Sequence, residues 1–185
     1  MSLFEFVTVM VSMILALCLG QLLRGASFLA KTEQKVTYHL PHTLWSLVIF
    51  LAVINQWWSL WDLRDVNWSY ASFLYILAAP VLITFATGLL TPTLSNSVPV
   101  DLQAHYTRIR RLFSAAFVAY VGFMWFDGPL FADQELFGTV GMMHVPIIVV
   151  SLVPGLSESR RANAIAASVG LVNTLVLMAV RYSTM

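Results

Sequence analysis

Six stretches of mostly apolar residues follow one another along this chain, and nothing constrains its fold more. A bilayer core of about 30 Å is crossed by about 20 helical residues, and windows of that length fall at 5–29, 40–62, 69–91, 109–127, 138–156 and 161–182. Charged residues make up only 10% of the chain against 59% hydrophobic ones, whereas about a quarter of a typical soluble chain is charged. So little charge cannot cover a wet surface. The sequence therefore predicts a single all-α domain over residues 1–185, a polytopic transmembrane helical bundle of six spans. Pro146 and Pro154 interrupt the fifth window, which stays in the count because neighbouring helices can satisfy the backbone groups that proline frees.

The N-terminal segment has an apolar centre like a secretory signal, but it carries Glu5 where such a signal has basic residues. It reads as the first span. Cys18, the one cysteine, lies inside that span as a packing residue.

Lysines and arginines set the orientation. Arg24, Lys31 and Lys35 flank the first connection, Arg108, Arg110 and Arg111 the third, and Arg160 and Arg161 the fifth. The second and fourth connections hold Asp62, Asp65, Asp127, Asp133 and Glu135 against Arg64 alone. By the positive-inside rule the odd connections are cytoplasmic and both termini lie outside. The third connection opens as a Pro/Ser/Asn loop and then predicts a short cytoplasmic surface helix at about 100–109 that runs into the fourth span, with its arginines against anionic headgroups. Opposite orientation of the two halves permits an inverted repeat, but the first and fourth spans share no polar pattern.

Polar side chains inside spans are costly and need a partner or a role. In NQWWSLWDLR (55–64), helical steps place Asn55, Ser59 and Asp62 on one stripe, with Trp58 at its margin, and Trp57, Trp61 and Arg64 on another. The first stripe points into the bundle. The second, with Trp68, predicts an aromatic belt at the outer interface. Asn55 lies about 10 Å deeper than Asp62 at 1.5 Å per residue, and His144 and Asn173 reach a similar depth. These three define an outer-half polar layer, with Gln56, Thr8 and Ser12 as additions, that is either a ligand or ion pathway or a hydrogen-bond network fixing the packing. His144 is its titratable member; Asp127, in FDGP, reads as a solvated turn residue. A second group, Gln21, Arg24, His42 and Asn163, lies towards the cytoplasm; Arg24 and His42, with Arg108, Arg110 and Arg111, are candidates for headgroup or anion binding.

No Walker loop, GxSxG or HExxH occurs, and no span carries a carboxylate pair. Enzymatic chemistry has no constellation to use, and a net charge of +1 argues against nucleic acid as a partner. His39 and His42 flank Pro41, which weakens them as a metal pair. Bis-histidine haem needs two imidazoles at one depth, a condition met only by an inner-end pair of His42 and His105. No cofactor is expected.

The segments MSLFEFVTVMVSMILALCLGQLL, PHTLW and QWWSLWDLR resemble small polytopic inner-membrane proteins of bacteria, chiefly over residues 1–90. The resemblance implies a six-span inner-membrane protein and assigns no active-site residue. The expected function is a channel-like, transporter-like or small-ligand-binding bundle. The alternatives are a structural or accessory subunit of a membrane complex and, third, a redox protein. Expected partners are membrane lipids and either further copies of the chain or another membrane protein. A reporter tag at the N-terminus is expected to react with membrane-impermeant reagents on intact cells; a tag reached only after permeabilisation contradicts the assigned orientation.

Overall fold

A computed structural model of the chain describes residues 2–32, 35–92, 99–131 and 134–182. Its main elements are α1 (Leu3–Lys31), α2 (Leu40–Ser59), α3 (Tyr70–Leu90), α4 (Leu102–Phe131), α5 (Thr139–Met142), α6 (His144–Leu156) and α7 (Arg160–Tyr182). A 3₁₀ turn, Leu60–Leu63, extends α2, and six helical stretches are long and apolar enough to cross a membrane, with α5 and α6 forming one of them. The predicted all-α bundle is thus observed. Asp133 and the Pro/Ser/Asn segment at 93–98 lie outside the described residues.

Local chemistry sets the helix starts. Ser2 and Glu5 form a reciprocal capping box at α1, and Ser69 with Ser72 does the same at α3, each satisfying amide groups that have no intrahelical acceptor. Pro41 occupies the opening of α2, where its missing N–H costs nothing. One small element departs from the helical expectation. Strands β1 (Val36–Thr37) and β2 (Val100–Asp101) pair in parallel, joining the first connection to the third.

Two boundaries also differ from the sequence expectation. The surface helix runs into the fourth span as predicted, forming one helix, α4, but its end lies later than expected, beyond Asp127 and Pro129 at Phe131. FDGP is therefore the last turn of a helix and not a solvated turn. The Gln134 amide donates to the Gly128 carbonyl at 3.3 Å. The fifth span is broken at Met143, so that Pro146 falls in the first turn of α6, where proline is tolerated.

The bundle packs around α2 and α4. Helix α4 lies against α3 and α6, α7 against α2 and α6, and α1 against α3 and α2. At the centre Trp45 of α2 is fully buried, its ring 5.6 and 5.5 Å from those of Phe113 and Phe117 on α4, an edge-on geometry favoured by the aromatic quadrupole. Close approach of α4 and α6 requires Gly155, where a Cβ would meet Ser114 Oγ at 3.0 Å. Ser114 then donates to the Ser151 carbonyl. The molecule has two chemically distinct ends: a tryptophan end, with Trp57, Trp58, Trp61, Asp127 and Arg181, and a basic end, with Arg24, Arg108, Arg111, Arg160 and Arg161. Replacing Trp45→Ala should lower stability by about 3–5 kcal/mol through the cavity left between α2 and α4, measured as unfolding of the detergent-solubilised chain; a loss below 1 kcal/mol would show that the aromatic centre collapses to fill the space.

Candidate functional site

At the tryptophan end α2, α4, α6 and α7 converge on a set of polar side chains. Asp62, on the 3₁₀ turn, accepts a hydrogen bond from Arg181 Nη2 near the end of α7, forming an ion pair with side-chain exposures of 17% and 13%. These two residues stand 119 positions apart, and no sequence spacing announces them. Ser59 donates to the Gln56 carbonyl of its own helix at 2.8 Å. Asn55, one turn deeper, accepts the Tyr182 hydroxyl at 2.8 Å. The stripe Asn55, Ser59, Asp62 thus points inward as its spacing predicts, and Trp57 and Trp61 are half exposed on the other face.

His144 opens α6 and is buried. Its Nδ1 lies 3.0 Å from the Val140 carbonyl, which can only accept, so Nδ1 carries the proton and a neutral ring keeps Nε2 as an acceptor. Asn173 on α7 donates to the Met143 carbonyl at 2.9 Å. This acceptor is at the break between α5 and α6, one residue beyond Met142, whose carbonyl would in a continuous helix face the missing N–H of Pro146. Tyr120 of α4 completes the layer by donating to the Ala52 carbonyl at 3.3 Å.

Two cavities thread these groups together. The outer, about 20 Å³, is lined by Ser59, Asp62, Asp127, His144 and Arg181 among others; the inner, about 30 Å³, by Asn55, Tyr120, His144, Asn173 and Thr174 among others. Each has room for about one water. His144 and Met124 belong to both walls, so the imidazole stands between an acidic outer chamber and an amide- and hydroxyl-lined inner one. Asp127 Oδ1 is buried in the outer wall with no hydrogen-bond partner among the described residues. A carboxylate oxygen in that state is costly to keep unless a donor reaches it. Sequence reasoning placed Asp127 in water because FDGP resembles a turn; its spacing from Met124 and Tyr120 on one α4 face was the available signal.

The remaining additions to the layer fall elsewhere. Ser12 accepts the Trp57 indole N–H at 3.1 Å, and Thr8 lies beside Phe4 and Trp57 in the seam between α1 and α2. Trp68 is partly buried with its indole nitrogen enclosed, unlike the more exposed Trp57 and Trp61.

At the basic end, Arg24, Arg108 and Arg111 are exposed as expected of headgroup contacts. Arg110 is not. Buried on α4, it donates to the Pro154 carbonyl at 2.8 Å and the Ser157 carbonyl at 3.2 Å, and pairs with Glu158. It caps the C-terminal turn of α6, where carbonyls have no intrahelical donor. His42 Nε2 and His105 Nε2 both approach the Leu90 carbonyl, at 2.8 and 3.2 Å. Two imidazoles converging on one carbonyl do not present the facing nitrogens that a bis-histidine haem requires. Asn163 joins neither His42 nor Arg24; it accepts the Tyr106 hydroxyl at 2.9 Å.

No family model, curated protein or solved structure matches this chain. The site is therefore read from its own geometry. Replacing Asp62→Asn is expected to destabilise the bundle by about 2–4 kcal/mol, because Arg181 then loses its charge partner in a largely buried position. The double variant Asp62→Asn/Arg181→Gln should lose less than the sum of the two single changes in thermal unfolding; strict additivity would show that the pair is not coupled.

Proposed function

We propose that this chain is a six-span protein of the bacterial inner membrane that admits a proton, or one water-sized polar species, into a half-channel from its outer face. The observation that carries the reading is the position of His144 between two water-sized cavities, the outer of which it shares with an Asp127 carboxylate oxygen that lacks a donor among the described residues. Asp62 and Arg181 hold the mouth in place, Asp127 and His144 are the exchangeable groups, and Asn55, Asn173 and Tyr120 close the inner chamber. The function proposed is binding and relay, without covalent chemistry.

Half-channel is favoured over through-pore because of what lies further along the same helices. Between Asn55 and His42 on α2 stand Ile49 and Trp45, and between Tyr120 and Arg110 on α4 stand Phe117 and Phe113, all buried to 1% exposure or less. This aromatic block fills the space between α2 and α4, and the buried hydroxyls beside it, Ser114 and Ser151, are both spent on backbone carbonyls. A second reading, an accessory subunit that contributes structure to a larger assembly, draws on the pairing of Asn55 with Tyr182 and of Asn173 with Met143, which would rigidify the bundle with no solute present. Infrared difference spectroscopy on proteoliposomes separates the two. A carboxyl band that responds to bulk pH, disappears in Asp127→Asn and shifts in His144→Gln is expected for the half-channel. A spectrum unchanged by either substitution supports the accessory reading.

A further inference from the structure

A third cavity, about 50 Å³, lies at the basic end, enclosed by the residue before α2, the first turns of α4 and the start of α7. In a chain dominated by apolar residues its wall is exceptional: every lining residue carries a polar group. Most of these groups already have partners. The Tyr106 hydroxyl donates to Asn163 Oδ1, and Asn163 Nδ2 donates to the Ser157 and Ser159 carbonyls, all at 2.9 Å. Arg110 uses both terminal nitrogens on α6 carbonyls and Glu158.

Two buried nitrogens remain. Arg110 Nε and His39 Nδ1 have no hydrogen-bond partner among the described residues, and His39 is only 4% exposed. The arginine Nε–H can only donate, and a buried donor without an acceptor is costly. Arg160, on the same wall, offers an exposed guanidinium at the first residue of α7. The acids near the cavity do not answer this demand: Glu158 is taken by Arg110 Nη2, and Asp101 accepts the Ala104 amide at 2.9 Å. Burial, and then the positive charge of Arg160, hold His39 below the usual histidine range, with Asp101 opposing. An anion in the cavity would reverse the electrostatic part of that effect and leave the ring free to donate from Nδ1.

We propose that this cavity binds the oxyanion of phosphate or of a phosphate ester, held by Arg110 Nε, Arg160 and His39. The demand is for acceptor oxygens arriving from more than one direction, and a tetrahedral anion of about this volume supplies them. The same chemistry is offered by free phosphate and by the phosphodiester of a lipid headgroup. Exposed Arg108, Arg111 and Arg161 surround this end and favour the approach of either.

The test uses the full chain, purified in a phosphate-free nonionic detergent. Its unfolding midpoint is measured in inorganic phosphate against chloride at constant ionic strength, then in nanodiscs of phosphatidylglycerol against a phosphate-free galactolipid, without free phosphate. A midpoint raised by phosphate, with apparent affinity about tenfold weaker in Arg160→Gln and unchanged in the exposed control Arg111→Gln, establishes the site for free phosphate. The same variant pattern seen only in phosphatidylglycerol discs assigns it to a lipid headgroup. Glu158→Gln should tighten binding in either case by releasing Arg110 Nη2. Absence of any anion-specific shift in the parent, or equal loss in Arg160→Gln and Arg111→Gln, overturns the proposal.

Discussion

The ion pair between Asp62 and Arg181 ties the far end of α2 to the end of the chain, and the polar architecture of the tryptophan end depends on it. Two opposite charges withdrawn from water are tolerable only together. Once they meet, the last turns of α7 are fixed against α2, which brings Tyr182 onto Asn55 and sets Asn173 beside the break between α5 and α6. His144 and Asp127, brought to one wall by the packing of α4 against α6, line the same cavity as this pair. The polar groups of four helices thus meet around one ion pair.

A complementary constraint acts in the middle of the molecule. Trp45, Phe113 and Phe117 fill the space between α2 and α4, and such an aromatic block excludes water as well as supporting the fold. It divides the interior into two polar territories with different chemistry. At the tryptophan end, acids, an imidazole and small cavities favour a donor; at the basic end, arginines and a histidine with unspent nitrogens favour an acceptor. Arg110 stands at the boundary of the second territory with its guanidinium spread over the end of α6, so that a residue resembling a membrane-surface anchor has become an internal cap.

Much of this was legible in the sequence because the physics involved is local. The apolar windows located the spans, and the 100° helical step separated the inward stripe of Asn55, Ser59 and Asp62 from the outward face of Trp57 and Trp61. Failures occurred where a local signal was overruled by a neighbour. FDGP has the composition of a turn, yet packing of α4 against α3 and α6 carries the helix through it and draws Asp127 inside. RIRR reads as a uniform basic cluster, but only Arg110 occupies the buried face of α4.

The sequence by itself determined that this is a bundle of six helices suited to a membrane, that the stripe of Asn55, Ser59 and Asp62 faces inward, and that basic residues concentrate at one end. Length, hydropathy and helical period suffice for these, since each depends on residues close together in the chain. Only the tertiary structure decided the pairing of Asp62 with Arg181, the placement of Asp127 and His144 on one cavity wall, the closed aromatic centre and the parallel contact of β1 with β2. Those depend on which helices lie side by side, and that is settled by packing and by the need to satisfy polar groups between segments that the sequence places far apart.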